Sequence, residues 1–130
     1  MKGYVADIEK ETEKNENFQK VLYTSRKMQL VVMSIGKDEE IGEEIHDVDQ
    51  FICVEEGRGI MVLNNQEHEV KDDYAVLIPA GVRHNLINTG EKPLKLYTLY
   101  SPPEHRDNTI HTTREDAIED EEHFNGKTTE

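Results

Sequence analysis

The chain predicts an all-β protein, a small barrel or sandwich of short strands, and three observations carry that expectation. Runs rich in β-branched and other apolar residues recur at 28–35, 60–63, 74–78 and 94–100. Turn signals separate the runs at intervals of roughly eight to twelve residues, as in closed or two-layered β folds. No stretch of helical periodicity lies between them, which argues against a sheet built from strand–helix–strand crossovers.

Taken in order, residues 7–17 are mostly polar with Ile8 as their one apolar anchor, and read as a short exposed helical turn or arm with loose packing. Apolar content begins at Phe18, and 18–23 predicts a short strand. The run 28–35 lacks alternation, as expected of a strand buried on much of both faces, and Gly36 ends it. A charged turn at 37–40 leads to a short strand at 41–46, and 51–54 forms the next. In the turn 55–59, Gly57 and Gly59 are both free to take positive φ. Residues 60–63 pair back, Asn64-Asn65 makes a hairpin turn because Asn tolerates the left-handed conformation, and 67–70 continues the hairpin. The strand 74–78 stops at Pro79, and strands 84–87 and 94–100 follow, split by a turn at 88–93. Pro102 and Pro103 end the last strand. Beyond them 104–111 is too polar for another buried strand and is expected to fold back across the barrel. Thr113 with Asp116 three residues on reads as a helix start, 117–124 as a short acidic helix, and the chain from Gly126 as a disordered tail. The expected organisation is a polar arm over 1–17, one β-barrel domain over 18–103 and an acidic C-terminal extension over 104–130.

Composition narrows the function classes. A length of 130 residues suits one domain, and 35% apolar residues suffice for one modest core. The net charge of -13 leaves no basic patch to displace counterions from phosphates, so neither nucleic acid nor an anionic membrane is expected as a partner. No apolar run is long enough to span a bilayer, residues 1–7 lack the apolar core of a signal peptide, and Cys53 stands alone. A cytoplasmic location follows as the expectation. Residues 37–49 carry seven acidic residues against one basic one, either a solvated face or an acidic mouth that attracts cations.

The chemistry-bearing residues gather in two stretches. Glu44 and His46 are two apart, hence on one face of an extended strand, and Gln50 follows at even spacing, returning to that face if the chain turns between them. Further on, a rigid turn at Pro79 and Gly81 feeds His84 into an apolar strand. Two imidazoles, one carboxylate and one amide oxygen suit a divalent transition metal, and each imidazole must be neutral to bind.

Both stretches resemble the paired motifs of the cupin superfamily, over residues 30–100 or so. Pro79, Gly81, His84 and Asn88 match the second motif in register, with Asp73 in place of its leading Gly. In the first motif Gly57 is the closing Gly, His46 falls on the second His, Glu44 on the first His, and Gln50 where a Glu normally stands. The carboxylate has thus moved from the fourth ligand position to the first. The resemblance implies a double-stranded β-helix, the jelly-roll barrel of small RmlC-like cupins. It implies a divalent cation (Mn, Fe, Ni, Co or Zn) on Glu44, His46, Gln50 and His84, a small polar ligand or substrate in the barrel, and a homodimer. It also implies a choice among dioxygenase, sugar isomerase, decarboxylase and epimerase chemistries, the metal-free epimerase type fitting this donor set least. The alternative class is a non-catalytic cupin that binds a small molecule for sensing or storage.

Each residue also has a plainer role. Glu44 sits in an acidic stretch that reads equally well as a solvated face, and Gln50 reads equally well as hydrogen-bonding a ligand as being one. His68 and His123 read as surface residues, and His105 and His111 as weak candidates for a lid over the barrel mouth. Cys53 reads as a small core residue with no activating base beside it, and Tyr97 and Tyr100 as packing residues.

Overall fold

Alternate residues of β8 (Leu94–Ser101), namely Leu94, Leu96, Thr98 and Tyr100, are buried while their neighbours are not, which sets one face of this strand against a core. The computed structural model describes residues 1–130. Its other strands are β1 (Gln19–Thr24), β2 (Gln29–Ile35), β3 (Asp49–Glu56), β4 (Arg58–Leu63), β5 (Gln66–Lys71), β6 (Ala75–Ile78), β7 (His84–Asn88) and β9 (Ile110–His111). Two helices, α1 (Ile8–Lys14) and α2 (Arg114–Glu119), flank them. The strands form a six-stranded sheet ordered β6-β3-β8-β2-β1-β9 and a three-stranded sheet ordered β5-β4-β7, with every neighbouring pair antiparallel. The all-β expectation and the jelly-roll topology both hold.

The core lies between the sheets. Ile35, Ile52, Leu94 and Leu96 from the larger sheet and Met61 and Leu86 from the smaller are almost wholly buried. Each such side chain contributes about 1.5–3 kcal/mol, so this sandwich supplies the main drive to fold. Asn64 and Asn65, both at positive φ, turn β4 into β5 as the hairpin reading requires. Of the two turn glycines only Gly57 takes positive φ, at 95°. Gly59 is needed for space, because a Cβ there would run into the carbonyl oxygen of Ile87 on β7. Asn88 is a structural knot: its side-chain amide donates to the carbonyls of Ile35, Gly36 and Lys92, and its Oδ1 accepts the N–H of Gly90.

Several expectations are corrected. Residues 41–46 are not a strand. Gly42, at φ 105°, breaks the extended run, Ile45 faces solvent, and only the isolated bridges Glu40–Ile87 and Glu44–His84 remain. The N-terminal segment is not loosely packed. Asp7 caps α1, Thr12 and Asn15 are buried, and Lys95 on β8 donates to the carbonyls of Glu13 and Asn15. Residues 104–111 are not free of strand, since Ile110 and His111 pair with β1. The tail is ordered, with Thr129 bonded through its backbone N–H to the carbonyl of Thr24 and through its hydroxyl to the Thr24 N–H. The capping box of α2, Thr113 with Asp116, stands as read, but the helix runs Arg114–Glu119 and ends at Asp120, short of the expected 124. Cys53 lies on the outer face of β3, half-buried, rather than in the core.

Candidate metal centre

The turn at Pro79–Val82 places the site. Gly81 takes φ 86°, and its N–H donates to the carbonyl of His46 while Ala80 N–H donates to Asp49 Oδ1. The turn is therefore stitched to the loop that carries His46. One residue into β7, His84 exchanges two backbone hydrogen bonds with Glu44, at 2.8 and 2.9 Å. These backbone contacts bring Glu44, His46 and His84 together, and their ligand atoms all lie within 4.8 Å of one another. Gln50 reaches the same cavity from β3.

Each donor is oriented by a neighbour. His84 is 4% exposed, and its Nδ1 lies 2.9 Å from the carbonyl of Val82, so the proton belongs on Nδ1 and the lone pair on Nε2. Gln50 donates from Nε2 to Thr98 Oγ1 at 3.0 Å, leaving Oε1 as the free acceptor. His46 has Nδ1 3.3 Å from Glu104 Oε1 and Nε2 3.6 Å from Glu44 Oε1. Tyr100, buried, packs edge-on against the rings of both His46 and His105.

Three buried polar atoms have no hydrogen-bond partner in the whole chain: His46 Nε2, His84 Nε2 and Gln50 Oε1. Leaving such an atom unpaired costs about 1–3 kcal/mol. Three in one cavity, all able to offer a lone pair and set beside a carboxylate, form a donor set that a divalent cation satisfies at once. The residues thus fit the metal that the motifs imply. The cavity itself measures about 290 Å³ and has an apolar floor of Met33, Ile52, Met61 and Leu86.

Electrostatics set the protonation of the two imidazoles apart. Burial opposes a charge on His46, but the Glu104 and Glu44 carboxylates outweigh it and raise its pKa to about 9. For His84 burial dominates and lowers the pKa, with the His46 charge adding to the effect. A cation at this site must therefore displace a proton from His46 at neutral pH. Metal affinity should rise by about tenfold per pH unit on approach to pH 9 and level off above it, one proton leaving per ion bound. Titration calorimetry in buffers of different ionisation heat near pH 7.5 reads that proton directly, and a pH-independent affinity between 7 and 9 would contradict it.

Sequence reasoning placed Glu44, His46, Gln50 and His84, and the structure brings all four to one cavity. It missed Glu104, which faces His46, and Gln19, whose amide lies between His105 and His111. Those two imidazoles meet Glu122 and Asp120 with their other nitrogens. The segment 104–123 therefore forms one wall of the cavity, and His123, expected only at the surface, also lines it. His68 on β5 is exposed and remote from the site.

Fold and site together define a small cupin. The profile of the cupin domain family matches residues 31–100, and the chain belongs to that family. It is 44% identical over 124 residues to the uncharacterized protein YrkC of Bacillus subtilis, spanning 90% of this chain and 67% of that one. It is 39% identical over 116 residues to the uncharacterized protein L612 of Acanthamoeba polyphaga mimivirus, covering 85% of this chain and 72% of that one. The crystal structure of BH2720 from Bacillus halodurans superposes with a TM-score of 0.89 at 46% identity, covering 90% of this chain and 94% of that one. No helix is long and apolar enough to cross a membrane.

Proposed function

We propose that this cupin binds one divalent transition metal through Glu44, His46, Gln50 and His84 and uses it to hold a small polar molecule in the cavity. The observation that carries the reading is the convergence of three buried nitrogen and oxygen atoms without hydrogen-bond partners beside a carboxylate. When bound, the cation supplies Lewis-acid polarisation of a ligand oxygen. The chain's own residues do the rest. Val82, Thr98 and Glu104 hold His84, Gln50 and His46 in donor orientation. The apolar floor limits water beneath the ligand, so charge on the ligand is felt at low dielectric. This arrangement supports chemistry of the dioxygenase, sugar isomerase or decarboxylase kind. Elemental analysis of protein purified without added metal should find close to one divalent ion per chain. Protein that also fails to take up Mn, Fe, Ni, Co or Zn on titration would refute the reading.

A second reading, binding without turnover, draws on the cavity wall. Residues 104–105 are tied down by the wholly buried side chain of Gln29, an arrangement that favours slow exchange. Water-proton relaxation of the manganese-loaded protein separates the two, since a rapidly exchanging bound water accompanies an open catalytic position.

For partners, a small molecule and a second copy of this chain are proposed. The edge of the larger sheet at β1 is not free to pair with a second copy, because β9 lies against it. The outer face of the larger sheet is the better candidate: Leu77, Phe51, Leu99 and Leu30 sit side by side across four strands, and Leu77 is 73% exposed. Light scattering should give twice the chain mass of 15.0 kDa, and Leu77→Glu should halve it. A wild-type mass of one chain at every working concentration would refute the dimer.

A further inference from the structure

The charged groups of the C-terminal wall are not equally occupied. Glu104 faces His46, Asp120 meets His111 and Arg106, and Glu122 meets His105 and the backbone N–H of Arg106. Arg114 lines the same cavity and makes no ion pair. Its Nε donates to the carbonyl of Ile41 at 3.0 Å, which fixes the guanidinium plane, while the N–H groups of Nη1 and Nη2 have no acceptor in the protein. The neighbouring backbone makes room for it: Gly42 is at φ 105°, and a Cβ there would stand 2.6 Å from Arg114 Nη2. A half-buried guanidinium, oriented by its own Nε and left with its fork free, is the arrangement that takes a planar oxyanion in two parallel hydrogen bonds.

From this geometry we infer that the ligand is a small carboxylic acid whose carboxylate pairs with Arg114 and whose oxygen donors at the other end face Glu44, His46, Gln50 and His84. The second contact rests on the metal-binding reading above; the first does not. A chain of net charge -13 repels anions at long range, and a guanidinium inside the cavity offsets that repulsion locally. The cavity of about 290 Å³ lies at the small end of ligand pockets, roughly 300–1,000 Å³, and limits the acid to a few carbons. Hydroxy and keto acids satisfy both ends.

The test uses glycolate, lactate and pyruvate, each beside its neutral amide, titrated calorimetrically into the full chain with and without Mn²⁺. At least one acid should bind the wild type about tenfold or more tightly than its amide. Arg114→Gln should then lose about ten- to a hundredfold in that affinity, the range for a hydrogen-bonded charge, and Arg114→Lys should recover part of it. The Arg114 Nε–H resonance of the wild type should shift with the acid and not with the amide, a readout that survives a poorly folded variant. Acids that bind no better than their amides, or equally well to Arg114→Gln, overturn the inference. If the wild type takes up no Mn²⁺ yet its acid binding still depends on Arg114, the metal reading falls and this one stands. If Mn²⁺ binds and Arg114 makes no difference, this one falls alone.

Discussion

His84→Ala should bind divalent manganese more than about a hundredfold more weakly than the wild type, a larger loss than the ten- to hundredfold typical of partners outside the ligand set. The imidazole is 4% exposed, its Nδ1 is committed to the carbonyl of Val82, and its Nε2 has no partner in the protein. The fold should survive, because β7 is joined to the Glu44 loop by backbone atoms of residue 84 and not by its ring. The comparison is metal titration of both proteins at one pH, with circular dichroism as the control for folding. Equal affinity in a folded variant would remove His84 from the ligand set.

The second large effect is on stability. Gln29 is wholly buried on β2 and bonds at both ends. Its Oε1 accepts the N–H groups of Glu104 and His105, at 3.3 and 2.9 Å. Its Nε2 donates to Thr24 Oγ1 at 2.9 Å and to the carbonyl of His105 at 2.8 Å. Gln29→Leu keeps the volume and strands two backbone donors and a carbonyl. At about 1–3 kcal/mol for each unpaired group, the loss should reach about 3 kcal/mol or more, moderated as residues 104–105 move out to water. Chemical denaturation measures it, and a loss below about 1 kcal/mol would show that Gln29 does not anchor the cavity wall. Peeling of this wall also separates Glu104 from His46, so metal affinity should fall in the same variant.

The parts of the molecule that could be read from sequence are those governed by apolar patterning and by turn chemistry. The hairpin at Asn64-Asn65 and the turn before His84 are specified by residues with narrow backbone preferences. The apolar, β-rich run at 94–100 marks strand β8. The failures at β9 and α1 share a physical cause, burial achieved by hydrogen bonding. His111 is buried through Gln19 and Asp120, so its strand carries no apolar signature. Thr12 is buried in α1 with its hydroxyl on the carbonyl of Ile8, and the helix looks solvent-facing by composition. Glu104 is one acid among 28 acidic residues, and nothing local distinguishes the one that meets an imidazole 58 positions away. The four proposed metal donors were legible because they fall in the register of the two motifs and a fixed turn aims His84, although Glu44 and His46 reach the cavity from a loop and not from the expected strand. The wall opposite them was not, because it depends on contacts across most of the chain.

That wall has a second consequence, for association of the unfolding-prone kind. Without residues 104–130, β1 would be the last strand of its sheet, six residues long and open to strand addition from any neighbouring chain. The C-terminal segment occupies that template almost from end to end. Phe18 and Val21 donate to the carbonyls of Thr112 and Thr109, Gln19 and Lys20 pair with His111 and Ile110, and Thr24 is taken by Thr129. The strand that replaces it at the edge, β9, is only two residues long. A lesion in this segment therefore exposes an aggregation-prone edge at the same moment that it opens the cavity.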